Sequence, residues 1–148
     1  MDGAPAMIRT LVDAGVDTCF TNPGTSEMHF VAALDQVTEM RGVLALFEGV
    51  ASGAADGWAR MAGRPAATLF HLGPGLGNAL ANLHNARRAG TPMVNIVGDH
   101  ATYHLRYDAP LNSDIATVAR NVSRWIGRPE TPAALAPATA DAVAAALG

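Results

Sequence analysis

Hydrophobic runs and helical periodicities alternate along this chain. Four short runs are rich in apolar and β-branched residues and are bounded by glycine, proline or polar positions; they cover 16–21, 43–47, 67–72 and 93–98. Runs of this length predict strands that are buried on both faces. Buried strands that alternate with helices are typical of a parallel sheet with right-handed crossovers. The pattern therefore predicts an α/β fold with three layers, α/β/α, around a mainly parallel sheet.

The segments between and after these runs have the spacing of helices. Helices are predicted over 5–15, 26–37, 48–63, 78–89, 114–120 and 131–148. Ser26 resembles the N-cap of the second helix, and Pro137 is expected to interrupt the last one. A long polar segment at 99–112 breaks the alternation, and a final strand is expected over 122–126.

Composition narrows the class of protein. The chain has 148 residues, 49% of them hydrophobic and 16% charged, which is enough apolar material for a single domain spanning 1–148. A net charge of −3 gives no basic surface for nucleic acid or an anionic membrane. All ten basic residues are arginine, which excludes a Schiff-base or Walker-A lysine. The single cysteine, Cys19, excludes an internal disulfide and a Cys-rich metal site.

Targeting to a membrane or out of the cell is not indicated. The N-terminal residues lack the apolar segment of a secretory signal. No uncharged apolar run reaches the roughly 18 residues that span a bilayer. We therefore expect a cytoplasmic domain.

Three polar or glycine-rich segments directly follow predicted strands. They are 22–26, 48–49 and 71–78. Ligands of parallel α/β sheets bind beyond the carboxyl ends of the strands. We therefore expect these three segments to converge at one edge of the sheet.

Glu48 is the first candidate for chemistry. Four apolar residues, 44–47, precede it, and the helix that follows has almost no polar surface. Burial in such surroundings favours the protonated form of a carboxyl group and suits acid–base work. The alternative is a Glu in the first helical turn that only stabilises the helix N-terminus.

The glycine-rich segments and His71 allow more than one interpretation. Gly49, Gly53 and Gly57 stand four apart on one helix, which suits close approach of a partner helix or a ligand; compositional bias is the alternative. The segment 73–77 does not match the dinucleotide fingerprint, yet it offers backbone N–H groups to a ligand. His71 is either a satisfied core histidine or an acid–base or substrate-contacting group.

Taken together, these segments resemble the N-terminal pyrimidine-binding domain of thiamine diphosphate (ThDP) enzymes, in the group of acetolactate synthase and benzoylformate decarboxylase. Four stretches carry the resemblance, in the family's order over nearly the whole chain; they are DTCFTNPGTSEM, LALFEGVASGAADGWAR, HLGPGLGNALANLHNA and PMVNIVGD. The resemblance implies the ThDP-binding fold and a role with 2-keto acids. It also implies that Glu48 activates the cofactor by sharing a proton with N1′ of its aminopyrimidine.

The resemblance implies further roles at matching positions. Cofactor-binding positions are Pro23, Gly24, Glu48, Gly75 and Asn78. Thr25 and Ser26 match substrate contacts of decarboxylases in this group. His71 matches a histidine of the benzoylformate decarboxylase branch that assists proton transfer, which favours a decarboxylase or lyase. The helix that carries the three spaced glycines resembles the one that packs at the family's dimer interface, so we expect a homo-oligomer.

The chain departs from the family pattern in its metal site. Members of this group hold the diphosphate and Mg²⁺ on a separate domain with a Gly-Asp-Gly motif; here 98–100 reads Gly-Asp-His, so we expect no metal ligand in this chain. The middle and diphosphate-binding domains have no counterpart in it. Three hypotheses follow: an isolated half-site that is inactive alone, a natural small subunit of a split 2-keto-acid decarboxylase, or a non-catalytic α/β nucleotide-binding or interaction module. Under the first two, the partner is a diphosphate-binding domain in the same full-length chain or in a separate subunit.

Overall fold

The computed structural model describes residues 2–148. Its strands form one parallel sheet in the order β2-β1-β3-β4; they are β1 (Thr18–Asn22), β2 (Arg41–Leu44), β3 (Ala66–Phe70) and β4 (Met93–Val97). The helices are α1 (Gly3–Asp13), α2 (Met28–Leu34), α3 (Glu48–Ala62), α4 (Leu72–Ala89), α5 (Ile115–Ala119) and α6 (Pro132–Leu147), with 3₁₀ turns at Thr25–Glu27 and Leu105–Tyr107. The predicted parallel α/β fold is confirmed.

Alternate strand residues supply two separate cores, one on each face of the sheet. Cys19 and Leu69 pack with residues of α1, α2 and α6, whereas Phe20 and Phe70 pack with residues of α3, α4 and α5. Because successive side chains of a strand point to opposite faces, strands buried on both sides need apolar residues at nearly every position. This arrangement gives the three layers that the sequence predicts. The prediction for the second strand is wrong in bounds and burial: β2 spans Arg41–Leu44 and not 43–47, and most of it is exposed because it lies at the edge of the sheet. None of the helices in residues 2–148 has the length and hydropathy needed to cross a bilayer.

Small residues let α3 lie close to α4. Ser52 on α3 is fully buried and donates to the carbonyl of Gly49 at 3.1 Å. Asn82 on α4 donates to the same carbonyl at 2.6 Å, and a Cβ at Gly53 would lie 3.1 Å from its Nδ2. Two of the three spaced glycines therefore serve packing within this chain, whereas Gly57 is exposed and has no neighbour within 4 Å of a Cβ.

The start of the second helix differs from the prediction. Ser26 is not an N-cap, because it lies inside the 3₁₀ turn and α2 begins at Met28. Glu27 occupies the N-cap position of α2 but makes no side-chain cap hydrogen bond there; its carboxylate accepts the backbone N–H of Gly24 at 2.8 Å and so closes the 3₁₀ turn. The helix also ends early, at Leu34, although Val37 is still buried.

Residues 73–77 are helical, so the prediction of a loop there is wrong. The helix α4 begins at Leu72, directly after His71, and Pro74 fits its first turn because the N–H groups of that turn need no intrahelical partner. Leu72 has a φ of 53°, in the left-handed region that costs a residue other than glycine about 1–2 kcal/mol. The junction between β3 and α4 is therefore strained.

The predicted strand at 122–126 is not formed. A strand needs a neighbouring strand for its backbone hydrogen bonds, and a groove with a volume of about 720 Å³ separates β4 from the segment 122–130. The outer edge of β4 pairs with no strand of residues 2–148. Trp125 and Ile126, which line this groove, stay 37% and 43% exposed.

Pro137 does not interrupt the last helix. It is the sixth residue of α6, which runs unbroken to Leu147. A proline inside a helix removes one hydrogen bond, here to the carbonyl of Ala133, and costs about 3 kcal/mol. The many alanines of α6 and its packing on α1, where Val143 is buried, offset this cost.

Candidate functional site

The carboxyl ends of β1 and β3 and the start of α3 bring polar groups together at one edge of the sheet. Glu48, the first residue of α3, is only 5% exposed although it is charged in water. Asn78, on the second turn of α4, donates its Nδ2–H to Oε2 of Glu48 at 2.9 Å. The expected convergence of the segments that contain Glu48 and Asn78 is confirmed.

The second oxygen of Glu48, Oε1, lies against Gly75. A Cβ at Gly75 would lie 2.9 Å from Oε1 of Glu48, which is closer than real side chains tolerate. Within residues 2–148, Oε1 accepts no hydrogen bond. The carboxyl group is therefore held by one oxygen and offers the other to a ligand beside a glycine surface.

A second buried acid, Glu27, lies beside His71. Glu27 is 3% exposed, and its Oε2 lies 2.8 Å from Nδ1 of His71. When Glu27 is ionised its oxygens only accept hydrogen bonds, and Nδ1–H of His71 is then the donor. The same carboxylate accepts the N–H of Gly24, while its Oε1 is buried and has no partner among the described residues.

Glycines close around this acid–imidazole pair. A side chain at Gly24 would overlap the ring of His71, and one at Gly98, directly after β4, would overlap the carboxyl group of Glu27. The pair is connected to the Glu48 group through α4, because the N–H of Gly75 donates to the carbonyl of His71 at 2.9 Å. His71 itself keeps 25% of its side chain exposed, so a ligand can reach it.

The remaining predicted site residues lie in the turn after β1. Pro23 is half-buried between β1 and the 3₁₀ turn, Thr25 is exposed and Ser26 is half-buried. Thr25 and Ser26 line a cavity of about 460 Å³ together with residues that follow β4. Both positions are predicted substrate contacts, and both lie at an open surface.

Sequence reasoning missed Glu27. Its position in a polar segment before a helix suggests only a helix-terminus charge. One signal was available: Glu27 follows Gly24 by three residues, the spacing at which a Glu side chain accepts the backbone N–H of an N-cap residue. The pairing of β1 with β3, which places the turn after Asn22 beside His71, is visible only in the structure. No group of three histidine, cysteine or acidic side chains in residues 2–148 is arranged to hold a metal ion.

Comparisons with known proteins agree with this geometry. The family model described as "Thiamine pyrophosphate enzyme, N-terminal TPP binding domain" matches residues 1–120. The chain therefore belongs to the family of N-terminal, pyrimidine-binding domains of ThDP enzymes. It is 74% identical over 133 residues to the Mycobacterium tuberculosis protein named "Putative acetolactate synthase large subunit IlvX", covering 90% of this chain and 26% of that protein.

More distant relatives include both branches of the group. The chain is 34% identical over 122 residues to the acetolactate synthase isozyme 3 large subunit of Escherichia coli, covering 82% of this chain and 21% of that protein. The crystal structure of benzoylformate decarboxylase from Polynucleobacter necessarius superposes with a TM-score of 0.90 at 27% identity, covering 97% of this chain and 27% of that one. The chain thus spans about a quarter of the length of these relatives.

Proposed function

We propose that this chain is the pyrimidine-binding half of a ThDP-dependent enzyme acting on 2-keto acids, and that Glu48 activates the cofactor. The observation that carries the proposal is the buried Glu48 carboxyl, which has one oxygen bonded to Asn78 and the other facing Gly75. A planar aminopyrimidine offers a ring nitrogen that such a carboxyl can bind, and the absence of a side chain at Gly75 leaves room for the ring. The residues present therefore fit the group.

Each residue of this subsite has a separate role in the proposal. Glu48 shares a proton with the pyrimidine nitrogen, and its burial keeps water from competing for that hydrogen bond. Asn78 fixes the orientation of that carboxyl, while Pro23 and Gly24 line the ring. When bound, ThDP supplies the electron sink that 2-keto-acid decarboxylation requires.

His71 and Glu27 form a proton-transfer pair in this proposal. Because Nδ1–H of His71 is committed to Glu27, Nε2 is the ring nitrogen that can exchange a proton with a substrate. The carboxylate fixes the tautomer and orientation of the ring, as acidic partners of catalytic histidines commonly do. Thr25 and Ser26, on the same turn as Glu27, are proposed to contact the substrate. A histidine in this position favours a decarboxylase over a synthase.

Two further components are proposed to come from outside this chain. A diphosphate-binding domain, in the same full-length chain or in a separate subunit, would hold the diphosphate and Mg²⁺. The exposed face of α3, with Val50, Gly57 and Met61, and the neighbouring Leu46 form an apolar surface that suits a second copy. Sedimentation should show self-association of the wild-type chain that Val50→Glu weakens.

The test of the proposal is a titration of the isotopically labelled chain with thiamine, which carries the pyrimidine without the diphosphate. We expect saturable shifts of the Gly75 and Asn78 backbone amides. Glu48→Gln should weaken binding about tenfold or more, because a hydrogen bond to a charged group contributes about 1.5–3 kcal/mol. Glu39→Gln, an exposed site, is the matched control and should bind like wild type. Equal affinity of the Glu48→Gln and wild-type chains would refute the role of Glu48.

A further inference from the structure

A cavity of about 460 Å³ opens beside the acid–imidazole pair, and the proposed function does not account for most of its lining. Thr25 and Ser26 form one wall. The opposite wall comes from the polar segment after β4 and includes His100 and His104, and His29 of α2 completes the lining. Three imidazoles thus face one cavity at the carboxyl edge of the sheet.

Two of these imidazoles lie close together, and one of them has a nitrogen without a hydrogen-bond partner. The rings of His100 and His104 have centroids 5.2 Å apart. Nε2 of His100 is buried and has no hydrogen-bond partner among residues 2–148. A buried polar nitrogen without a partner costs free energy, so a ligand that pairs with it would be favoured.

The single carboxylate in the lining, Asp99, is already neutralised. Its Oδ1 accepts the backbone N–H of His100 at 2.8 Å, and its Oδ2 accepts Arg128 at 2.9 Å. The remaining polar lining consists of hydroxyls and imidazoles, which all donate hydrogen bonds, and each imidazole has at least one N–H in any protonation state. The cavity therefore suits a ligand rich in hydrogen-bond acceptors, such as a carboxylate. A metal ion is a poorer occupant, because the described side chains form no three-ligand group.

We propose that His29, His100 and His104 form a subsite for a carboxylate at the far end of the substrate, so that the enzyme acts on a 2-keto acid with a second acidic group. This inference rests on the proposed function, because Thr25 and Ser26 connect the cavity to the place where the reacting keto acid is proposed to bind. The three histidines are specificity-determining residues and take no part in the proton transfer assigned to His71.

The test compares two keto acids of equal chain length that differ in the distal carboxylate. The 148-residue chain is titrated with 2-oxoglutarate and with 2-oxopentanoate, and binding is followed by the imidazole resonances. We expect 2-oxoglutarate to bind about tenfold more tightly, the effect of about 1.4 kcal/mol. It should shift the signals of His100 and His104. Equal affinities, or shifts confined to other residues, would overturn the proposal.

Variants separate the subsite from general charge effects. The double variant His100→Leu and His104→Leu removes donors and should abolish the preference for 2-oxoglutarate. His84→Leu, on the exposed face of α4, is the matched control and should keep it. Should the double variant not fold, as judged by circular dichroism, the resonance shifts of the wild-type chain decide the question.

The thiamine titration distinguishes failure of the histidine subsite from failure of the proposed function. If thiamine binds and the two keto acids bind equally, the subsite is refuted while the proposed function stands. If 2-oxoglutarate is preferred but thiamine shifts no amide near Glu48, the proposed function fails and the assignment of the anion as a substrate group fails with it.

Discussion

Replacing Glu27 by glutamine and by alanine tests how the acid–imidazole pair is held. In the Glu27→Gln chain, the amide oxygen can take the place of Oε2 and accept both Gly24 N–H and Nδ1–H of His71. Its NH₂ group then occupies the place of Oε1, which no donor of the described residues approaches. Glu27→Ala removes both hydrogen bonds. The two variants therefore separate loss of charge from loss of hydrogen bonding.

The expected magnitudes differ clearly. Hydrogen bonds to charged groups contribute about 1.5–3 kcal/mol each to the free energy of unfolding. In the Glu27→Ala chain, water that fills the space left by the carboxyl group recovers part of this contribution. We expect Glu27→Ala to lower the free energy of unfolding by about 3–4 kcal/mol and Glu27→Gln by about 1 kcal/mol. The site is 3% exposed, so solvent screening reduces neither value much.

Urea unfolding, followed by the fluorescence of partly buried Trp58, measures both values. With a slope of about 1–3 kcal/mol per molar urea, the alanine variant should unfold at a midpoint roughly 1–4 M below that of wild type. Equal destabilisation by the two substitutions would show that charge, and not the pair of hydrogen bonds, holds the turn. No loss in either variant would refute the role of Glu27 altogether.

Three further predictions concern Gly75, Cys19 and Pro137. Gly75→Ala should displace the Glu48 carboxyl and abolish the thiamine-induced amide shifts. The control is Gly77→Ala, because a Cβ at Gly77 meets nothing within 4 Å; this variant should show the same amide shifts as wild type and have a free energy of unfolding about 1 kcal/mol higher. Burial raises the pKa of the Cys19 thiol to about 12, so iodoacetamide at pH 8 should label it only in unfolded chains; rapid labelling of the folded chain would contradict its burial. Pro137→Ala should restore one helical hydrogen bond and raise the urea midpoint by the equivalent of about 1–3 kcal/mol, and an unchanged midpoint would mean that the proline costs nothing.

The parallel sheet and the position of Glu48 were predictable because they depend on local patterns. Apolar runs and the polar residue that ends one of them are visible in the sequence. The burial of Glu48 was predicted from its apolar neighbours at 44–47 and is confirmed, but the predicted cause is wrong because most of those neighbours are exposed. Gly75 and Asn78 of α4 lie against the carboxyl group instead.

The errors have a common cause, which is dependence on residues far away in the sequence. Residues 122–126 can form a strand only if they pair with a neighbouring strand. The local sequence does not show that they lie too far from the edge of β4 to pair with it. Ser26 was a reasonable cap by residue type, but it lies inside the 3₁₀ turn that Glu27 closes on Gly24 N–H, and Glu27 is fixed by His71, which is 44 positions further along.

The unpaired side of β4 has a practical meaning for anyone who handles this domain. Its backbone N–H and C=O groups border the groove that Trp125 and Ile126 also line. Unpaired strand edges of this kind can bind extended chains of neighbouring molecules. We therefore expect the protein to self-associate through the edge of β4 at high concentration. An extended peptide added in excess should compete with that self-recognition and keep the preparation dispersed.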